Sequence, residues 1–180
     1  GKTVYNSTIK QAIDKWYAET TLEKDAATKA LVSQDQIFCN DRSASSNQTA
    51  AWTSTGADYY YGAYGRLINK KEPQLICPTA SDKFTVNTSN GNGALTYPVG
   101  IITADEVAMA GGVYSFSNSS YYLYTNQYYW SGSPNYVQSG YAYEFIVISS
   151  GTLYINLVNS TFGARPVVSL SSKAKLSGSG

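Results

Sequence analysis

The stretch YAYEFIVISSGTLYINLV, residues Tyr141 to Val158, contains two apolar runs separated by a short polar break. Aromatic and β-branched residues dominate both runs, and such residues favour β-strands. The break, Ser149 to Gly151, ends in a glycine that can adopt the positive φ of a tight hairpin turn. We therefore predict a β-hairpin with strands over Tyr141–Ile148 and Thr152–Val158, and we expect the first strand to be partly buried on both faces.

Further strands are predicted on either side of this hairpin. Tyr121–Tyr124 and Gln127–Trp130 are short aromatic runs with a polar turn between them. Arg165–Leu170 has a proline near its start, where a strand tolerates the missing N–H.

The first half of the chain predicts helices. Thr8 to Gln11 fits a capping box, and an apolar stripe with helical spacing follows it. Thr103 to Glu106 is a second capping box, and Gly111-Gly112 would end that helix. The stripe consists of Ile9, Ala12, Ile13, Trp16 and Tyr17. Weaker signals predict a helix over Lys24–Leu31, a strand over Gln36–Cys39, a loop over Ser43–Gly56, a helical turn over Tyr59–Leu67 and a strand over Leu95–Ile102.

Helices followed by a run of antiparallel strands indicate an α+β fold, and 180 residues fit one domain spanning positions 1–180. The chain starts without methionine and ends Ser-Gly-Ser-Gly, which we interpret as a fragment of a longer protein. A net charge of +1 without a basic stripe argues against nucleic-acid binding. No apolar run reaches the length of a membrane helix.

Catalytic and cofactor motifs are missing from the sequence. The chain has no histidine to activate a serine or cysteine, and two cysteines alone cannot complete a zinc site. No glycine-rich phosphate loop precedes a helix. Asp105 and Glu106 are adjacent carboxylates, but at a helix start their interpretation is capping and helix-dipole stabilisation rather than acid–base catalysis. We therefore expect a non-enzymatic protein without a cofactor or metal.

Charge and tyrosine are distributed unevenly along the chain. Eleven of the twelve acidic residues lie at or before Glu106, and Glu144 is the one charge between Val107 and Ala164. That charge-poor stretch holds ten of the seventeen tyrosines. Tyrosine combines a large rigid contact area with a hydroxyl, which is why antibody loops use it. The alternative is that these tyrosines only form strands.

On the binding interpretation, the candidate ligand-contacting residues lie in this half of the chain. They are Tyr122, Tyr124, Tyr129, Asn135, Tyr136, Tyr141, Tyr143, Tyr154, Asn156 and Asn159.

Cys39 and Cys77 allow two interpretations. Abundant Asn, Ser, Thr, Tyr and Gly, with 14% charged residues, favour an exported protein, in which the two cysteines would form a disulfide. In the cytosol they would be two small buried apolar residues. Arg165 stands in the charge-poor half, and its candidate partners are Asp41, Asp105 and Glu106.

Four motifs in the same order resemble a family of uncharacterised modules in surface or prophage proteins of Gram-positive gut bacteria. They are Phe38–Arg42, Tyr97–Glu106, Tyr129–Pro134 and Gly163–Leu170. The last two also resemble the C-type-lectin-like fold, in the branch of formylglycine-generating enzymes and variable proteins of diversity-generating retroelements. The resemblance implies a mixed, mostly antiparallel sheet with two or three helices, and it places Trp130 in a packed strand of the core.

The resemblance also implies display of a protein or glycan ligand at a bacterial surface or on a phage particle. It does not extend to calcium binding, since Glu72-Pro73-Gln74 is not followed by Trp-Asn-Asp. Nor does it extend to oxidase activity, since both cysteines are early in the chain. Clustered Tyr, Asn and Ser suggest the hypothesis that a retroelement diversifies this stretch. The alternatives are a structural subunit of a surface appendage and an inactive relative of a sulfatase-modifying enzyme.

Overall fold

A computed structural model of the chain describes residues 7–46, 48 and 58–175. These residues contain five α-helices and nine strands. The helices are α1 (Thr8–Glu19), α2 (Thr21–Lys24), α3 (Ala26–Lys29), α4 (Gly62–Tyr64) and α5 (Ala104–Met109). The strands are β1 (Phe38–Cys39), β2 (Tyr59–Tyr60), β3 (Lys83–Phe84), β4 (Gly100–Ile101), β5 (Tyr129–Gln138), β6 (Tyr141–Val147), β7 (Leu153–Leu157), β8 (Gly163–Ala164) and β9 (Pro166–Val167). A π-helical turn, Gly65–Lys70, continues α4.

The central sheet is built on β5. One edge of β5 pairs antiparallel with β6, which in turn pairs antiparallel with β7. The other edge is shared: β2 pairs at Tyr136 and Val137, and β8 pairs in parallel at Tyr129 and Trp130. Between these two, the Gly132 N–H donates to the Ile102 carbonyl at 2.8 Å. Two smaller antiparallel pairs, β1–β3 and β4–β9, complete the fold.

The predicted hairpin is confirmed as β6–β7. The Ile148 N–H donates to the Thr152 carbonyl at 3.0 Å, and Gly151 has φ of +79°. The preceding turn between β5 and β6 contains Ser139 and Gly140, both with positive φ, which matches the twist of a tight hairpin.

Of the two aromatic runs predicted as strands before the hairpin, one is a strand in the structure and the other is not. Gln127–Trp130 is the start of the much longer β5. The strand predicted over Tyr121–Tyr124 is wrong: this segment is a turn in which the Tyr124 N–H donates to the Tyr121 carbonyl at 3.0 Å. The side chains of Tyr121 and Leu123 are nevertheless buried. The Tyr121 hydroxyl donates to the Gly151 carbonyl at 3.1 Å.

The main core lies on one face of the sheet. Phe145, Val147 and Leu153 pack there against Leu67 and Val107 of the helical segments. Trp130 is buried, as predicted. A second, smaller core consists of Ile13, Tyr17 and Val99.

Helix α1 begins one residue earlier than the capping-box pattern indicated. Ser7, not Thr8, is the N-cap, and its hydroxyl accepts from the Lys10 N–H at 3.2 Å. The predicted stripe is also only partly buried, because Ile13 and Tyr17 face the core while Trp16 remains 43% exposed.

The second capping box is confirmed. The Thr103 hydroxyl accepts from the Glu106 N–H at 3.1 Å, and the Glu106 carboxylate accepts from the Thr103 N–H at 2.7 Å. Asp105 has a different role from the predicted one. Its carboxylate is buried and accepts two hydrogen bonds from the Arg66 guanidinium, both at 2.9 Å.

Arg66 links Asp105 to a second buried carboxylate, Asp41, at 2.7 Å. The prediction that Arg165 would pair with one of these acids is wrong. Arg165 instead donates to the Leu123 carbonyl and lies over the Tyr129 ring at 5.2 Å, and no ion pair involves it among the described residues. The guanidinium that holds the acids lies in the π-helical turn.

The remaining elements are shorter than predicted. The helix over Lys24–Leu31 is divided into α2 and α3, and Tyr59–Leu67 comprises β2, α4 and the start of the π-helical turn. The strands predicted over Gln36–Cys39, Leu95–Ile102 and Arg165–Leu170 are reduced to β1, β4 and β9. The loop predicted over Ser43–Gly56 lies mostly outside the described residues.

The α+β class and the mostly antiparallel sheets are confirmed, whereas the helices number five in the described residues rather than two or three. The Cys39–Cys77 disulfide is also present. Within the described residues, no helix combines the length and the apolarity that crossing a bilayer requires.

Replacing Arg66 by alanine should lower the free energy of unfolding by about 3–5 kcal/mol, because two buried carboxylates would lose their partner. Urea unfolding of purified protein measures this. Lys29→Ala is the matched control, since Lys29 pairs with Glu23 at the surface and its loss should cost less than about 1 kcal/mol. Equal effects of the two substitutions would contradict the bridging role of Arg66.

The disulfide should stabilise the fold by about 4 kcal/mol through its 38-residue loop. We expect denatured protein without reductant to resist alkylation, as judged by mass. A Cys39→Ala/Cys77→Ala double variant should melt at a clearly lower temperature than the wild type. Two alkylated cysteines in unreduced protein would contradict the bond.

Candidate functional site: a tyrosine cluster beside an apolar cavity

Most tyrosine rings reach the surface. Sixteen of the seventeen tyrosines lie in the described residues, and four of these are buried: Tyr17, Tyr59, Tyr121 and Tyr129. The other twelve are half-buried or exposed, so the fold presents a substantial area of phenol to the solvent.

Four half-buried tyrosines pack on one another, and we call them the tyrosine cluster: Tyr60, Tyr64, Tyr136 and Tyr143. The Tyr136 and Tyr143 rings stack with centroids 4.4 Å apart, and Tyr60 lies 4.5 Å from Tyr64 and 5.5 Å from Tyr136. Such contacts fix the rings in place beyond what burial of their area provides.

A second ring pair adjoins the cluster. Tyr114 stacks on Tyr154 with centroids 6.0 Å apart and an interplanar angle of 11°. Burial raises the pKa of Tyr114, and the nearby phenols of Tyr154 and Tyr64 raise it further. Tyr64 of the cluster is thus among the groups that act on the Tyr114 phenol.

An irregularity in β5 brings the cluster together. The register between β5 and β6 shifts from Pro134 opposite Glu144 to Tyr136 opposite Tyr143, which leaves Asn135 as the extra residue of a bulge. Tyr60 of β2 pairs with Tyr136 from the other side. Three strands thus place their tyrosines side by side.

The ten predicted contact residues do not form one surface. Tyr136 and Tyr143 belong to the cluster and Tyr154 to the adjoining pair, while Tyr122 and Tyr141 are exposed separately. Asn159 is exposed. Tyr124 and Asn156 are half-buried, and the Asn156 side chain accepts from the Leu157 N–H at 2.8 Å.

The prediction that Tyr129 and Asn135 lie at the surface is wrong, because both side chains are buried. Tyr129 belongs to the main core, where its ring packs beneath Arg165. Asn135 is fully buried at the bulge, and its amide makes no hydrogen bond within the structure described. Neither side chain can touch a ligand from these positions.

A cavity of about 320 Å³ lies beside the cluster. Its floor is the face of the sheet opposite to Phe145 and Val147, since alternation along β6 directs Ala142 and Glu144 away from the main core. The rest of the wall is largely apolar and includes Phe38, Phe84, Leu95, Val99 and Val158. Its volume falls in the range of small-molecule sites.

Glu144 is the acidic residue of this cavity wall. Its carboxylate makes no hydrogen bond or ion pair within the part of the chain that the structure describes, and burial alone raises its pKa to about 8. Sequence reasoning noticed the isolation of this charge but did not assign it a role. A single acid inside an apolar strand is the signal that identifies it.

The two cations on the wall already have partners. Lys10 pairs with Asp14, and the Arg42 guanidinium contacts Asp82, with Nε 2.7 Å from the carboxylate. No group of three or more potential metal ligands occurs among the described residues. Of the acidic and basic residues in the wall, Glu144 is therefore the one without an oppositely charged partner.

Comparison of the chain with protein-family models, with curated proteins and with solved structures found no match. The resemblance to C-type-lectin-like modules therefore stays a prediction.

The stability of the protein should decrease between pH 5 and pH 8 because of Glu144. The folded carboxyl keeps its proton up to about pH 8, whereas the unfolded one releases it near the ordinary value of 4.5. Stability is thus fully present below the unfolded pKa and is lost as pH rises to the folded pKa, by roughly 3 kcal/mol. Without histidine, no other side-chain type ordinarily titrates in this range.

The measurement is urea unfolding of wild type and Glu144→Gln across this pH range. The variant should lack the decrease, and the exposed-residue control Glu19→Gln should retain it. A wild type and a Glu144→Gln variant with the same pH dependence would show that Glu144 titrates normally.

Proposed function

We propose that this protein is a non-enzymatic binding module whose tyrosine cluster contacts a protein or glycan ligand. The observation that supports this most directly is the packing of four half-buried rings on one another at the surface. A ring that is already fixed loses little conformational entropy when a ligand binds. Each phenol also offers a hydroxyl that donates and accepts hydrogen bonds.

The charge distribution supports contact by shape rather than by electrostatic steering. Between Val107 and Ala164 the sequence has one formal charge, and that residue, Glu144, lines the cavity. Binding should therefore depend weakly on salt, since screening acts on exposed charges.

We extend the proposal to the context of the module. The four sequence motifs favour a C-type-lectin-like domain displayed at a bacterial surface or on a phage particle. Such a domain holds a rigid frame beneath a variable contact face, and diversification of that face by a retroelement remains a hypothesis. The disulfide is consistent with an oxidising compartment.

A structural subunit of a surface appendage is the second candidate. The observation that favours it is the exposed apolar pair Leu75 and Ile76, 70% and 65% exposed, in the segment that leads to Cys77. Neighbouring subunits would cover such a pair. An appendage subunit would use these residues for assembly and would not require the tyrosine cluster.

The test is binding of purified protein to a printed array of glycans and immobilised extracellular glycoproteins. Tyr143→Ala should lower the signal at least about tenfold, because the cluster loses a central ring, while Tyr143→Phe should retain most of it. Raising NaCl from about 50 to about 500 mM should change the signal less than about threefold.

Tyr122→Ala is the matched control, since Tyr122 is 81% exposed and makes no ring contact with the described residues. Its binding should equal that of the wild type. Equal loss in both alanine variants would mean general stickiness of tyrosine instead of a site. Self-association that requires Leu75 and Ile76, without any array signal, would favour the appendage subunit.

A further inference from the structure

The cavity, whose wall includes Tyr136 and Tyr143 of the tyrosine cluster, carries a second inference. We propose that this cavity binds a small organic cation, an alkylammonium group whose charge meets the Glu144 carboxylate and whose apolar part fills the aromatic wall.

The shape of the cavity favours a small ligand with an apolar body. Phe38 packs directly on Gly100 of β4, where a Cβ atom would lie 2.2 Å from the ring. The absence of a side chain at Gly100 thus lets the ring form part of the wall. Gly132 and Pro134 of β5 also line the cavity, and Pro134 lies opposite Glu144 of β6.

The charge of the site favours a cation. The titratable groups on the wall besides Glu144 are Lys10 of α1, Arg42 after β1, Tyr61, Tyr136 and Tyr143. Lys10 and Arg42 are already neutralised by Asp14 and Asp82, and neither shifts the pKa of Glu144. A ligand with one positive charge would therefore pair with the ionised form of Glu144 and favour that form over the protonated one.

The aromatic residues fit the same ligand class. The faces of tyrosine and phenylalanine rings attract ammonium groups, most strongly where water is excluded. The wall combines such rings with one acid, as sites for quaternary ammonium ligands do. A carboxylate ligand would instead meet Glu144 with a like charge.

Choline tests the proposal, and 3,3-dimethylbutan-1-ol is its uncharged counterpart of the same shape. In NMR titrations of the amide signals at pH 8, choline should shift those of Gly132, Ala142 and Glu144. It should bind at least about tenfold more tightly than the alcohol. Glu144→Gln should remove this difference, and Glu19→Gln should not.

The pH dependence provides an independent readout. Choline itself does not gain or lose a proton, so its affinity should rise between pH 6 and pH 9 as the buried carboxyl ionises. The Glu144→Gln variant should show no rise. A wild-type affinity that stays constant over this range would overturn the role of Glu144.

Other outcomes also decide against the proposal. Tighter binding of hexanoate than of choline would show that Lys10 and Arg42 dominate the cavity. Equal binding of choline and the alcohol would show an apolar site without charge recognition, and no shifts with any probe would show no site. Tyr154→Ala, outside the cavity wall, should leave choline binding intact even if it impairs the array signal.

Discussion

The contact of Arg66 with two buried carboxylates is the constraint on which the arrangement of the elements depends. Asp41 follows β1, Arg66 lies in the π-helical turn, and Asp105 is in the first turn of α5. Asp105 also accepts from the Gln74 N–H at 2.9 Å, which fixes the segment before Cys77. Burying three charges is costly, so such a network contributes less net stability than its bonds suggest. Its effect here is geometric: it sets α5 on the core, and the core supports the sheet that carries both the tyrosine cluster and the cavity.

Local features were predicted from the sequence, whereas long-range partners other than the Cys39–Cys77 disulfide were not. The β6–β7 hairpin and the α5 capping box depend on residues a few positions apart, and both are confirmed. Arg66 and Asp105 are 39 residues apart, and no periodicity relates them. The sequence favoured Arg165 as the partner of the buried acids because it is the lone cation next to a charge-poor stretch. It is satisfied instead by a carbonyl and a ring, which a search for opposite charges does not consider.

The candidate contact residues show a related limit. Alternation along a strand tells which residues share a face but not which face is buried, and one bulge reverses the order. The bulge at Asn135 buries that amide and moves Tyr136 beside Tyr143. Composition alone indicated the tyrosine-rich half, but it included Tyr129 and Asn135, whose side chains are buried. It also left out Tyr60 and Tyr64, which join the cluster from the helical half.

Glu144 is the residue whose presence packing does not explain. A buried acid often persists in its protonated form, but a protonated carboxyl still needs a hydrogen-bond partner. The described residues donate no hydrogen bond to either form of the Glu144 carboxyl, which is half-buried and lines the cavity. Its cross-strand neighbours, Pro134 and Asn156, offer no opposite charge. Residues that lower the stability of the fold and make no stabilising contact concentrate at sites where proteins bind or react. A ligand that brings a positive charge into the cavity would give the Glu144 carboxylate the partner that the described residues do not supply.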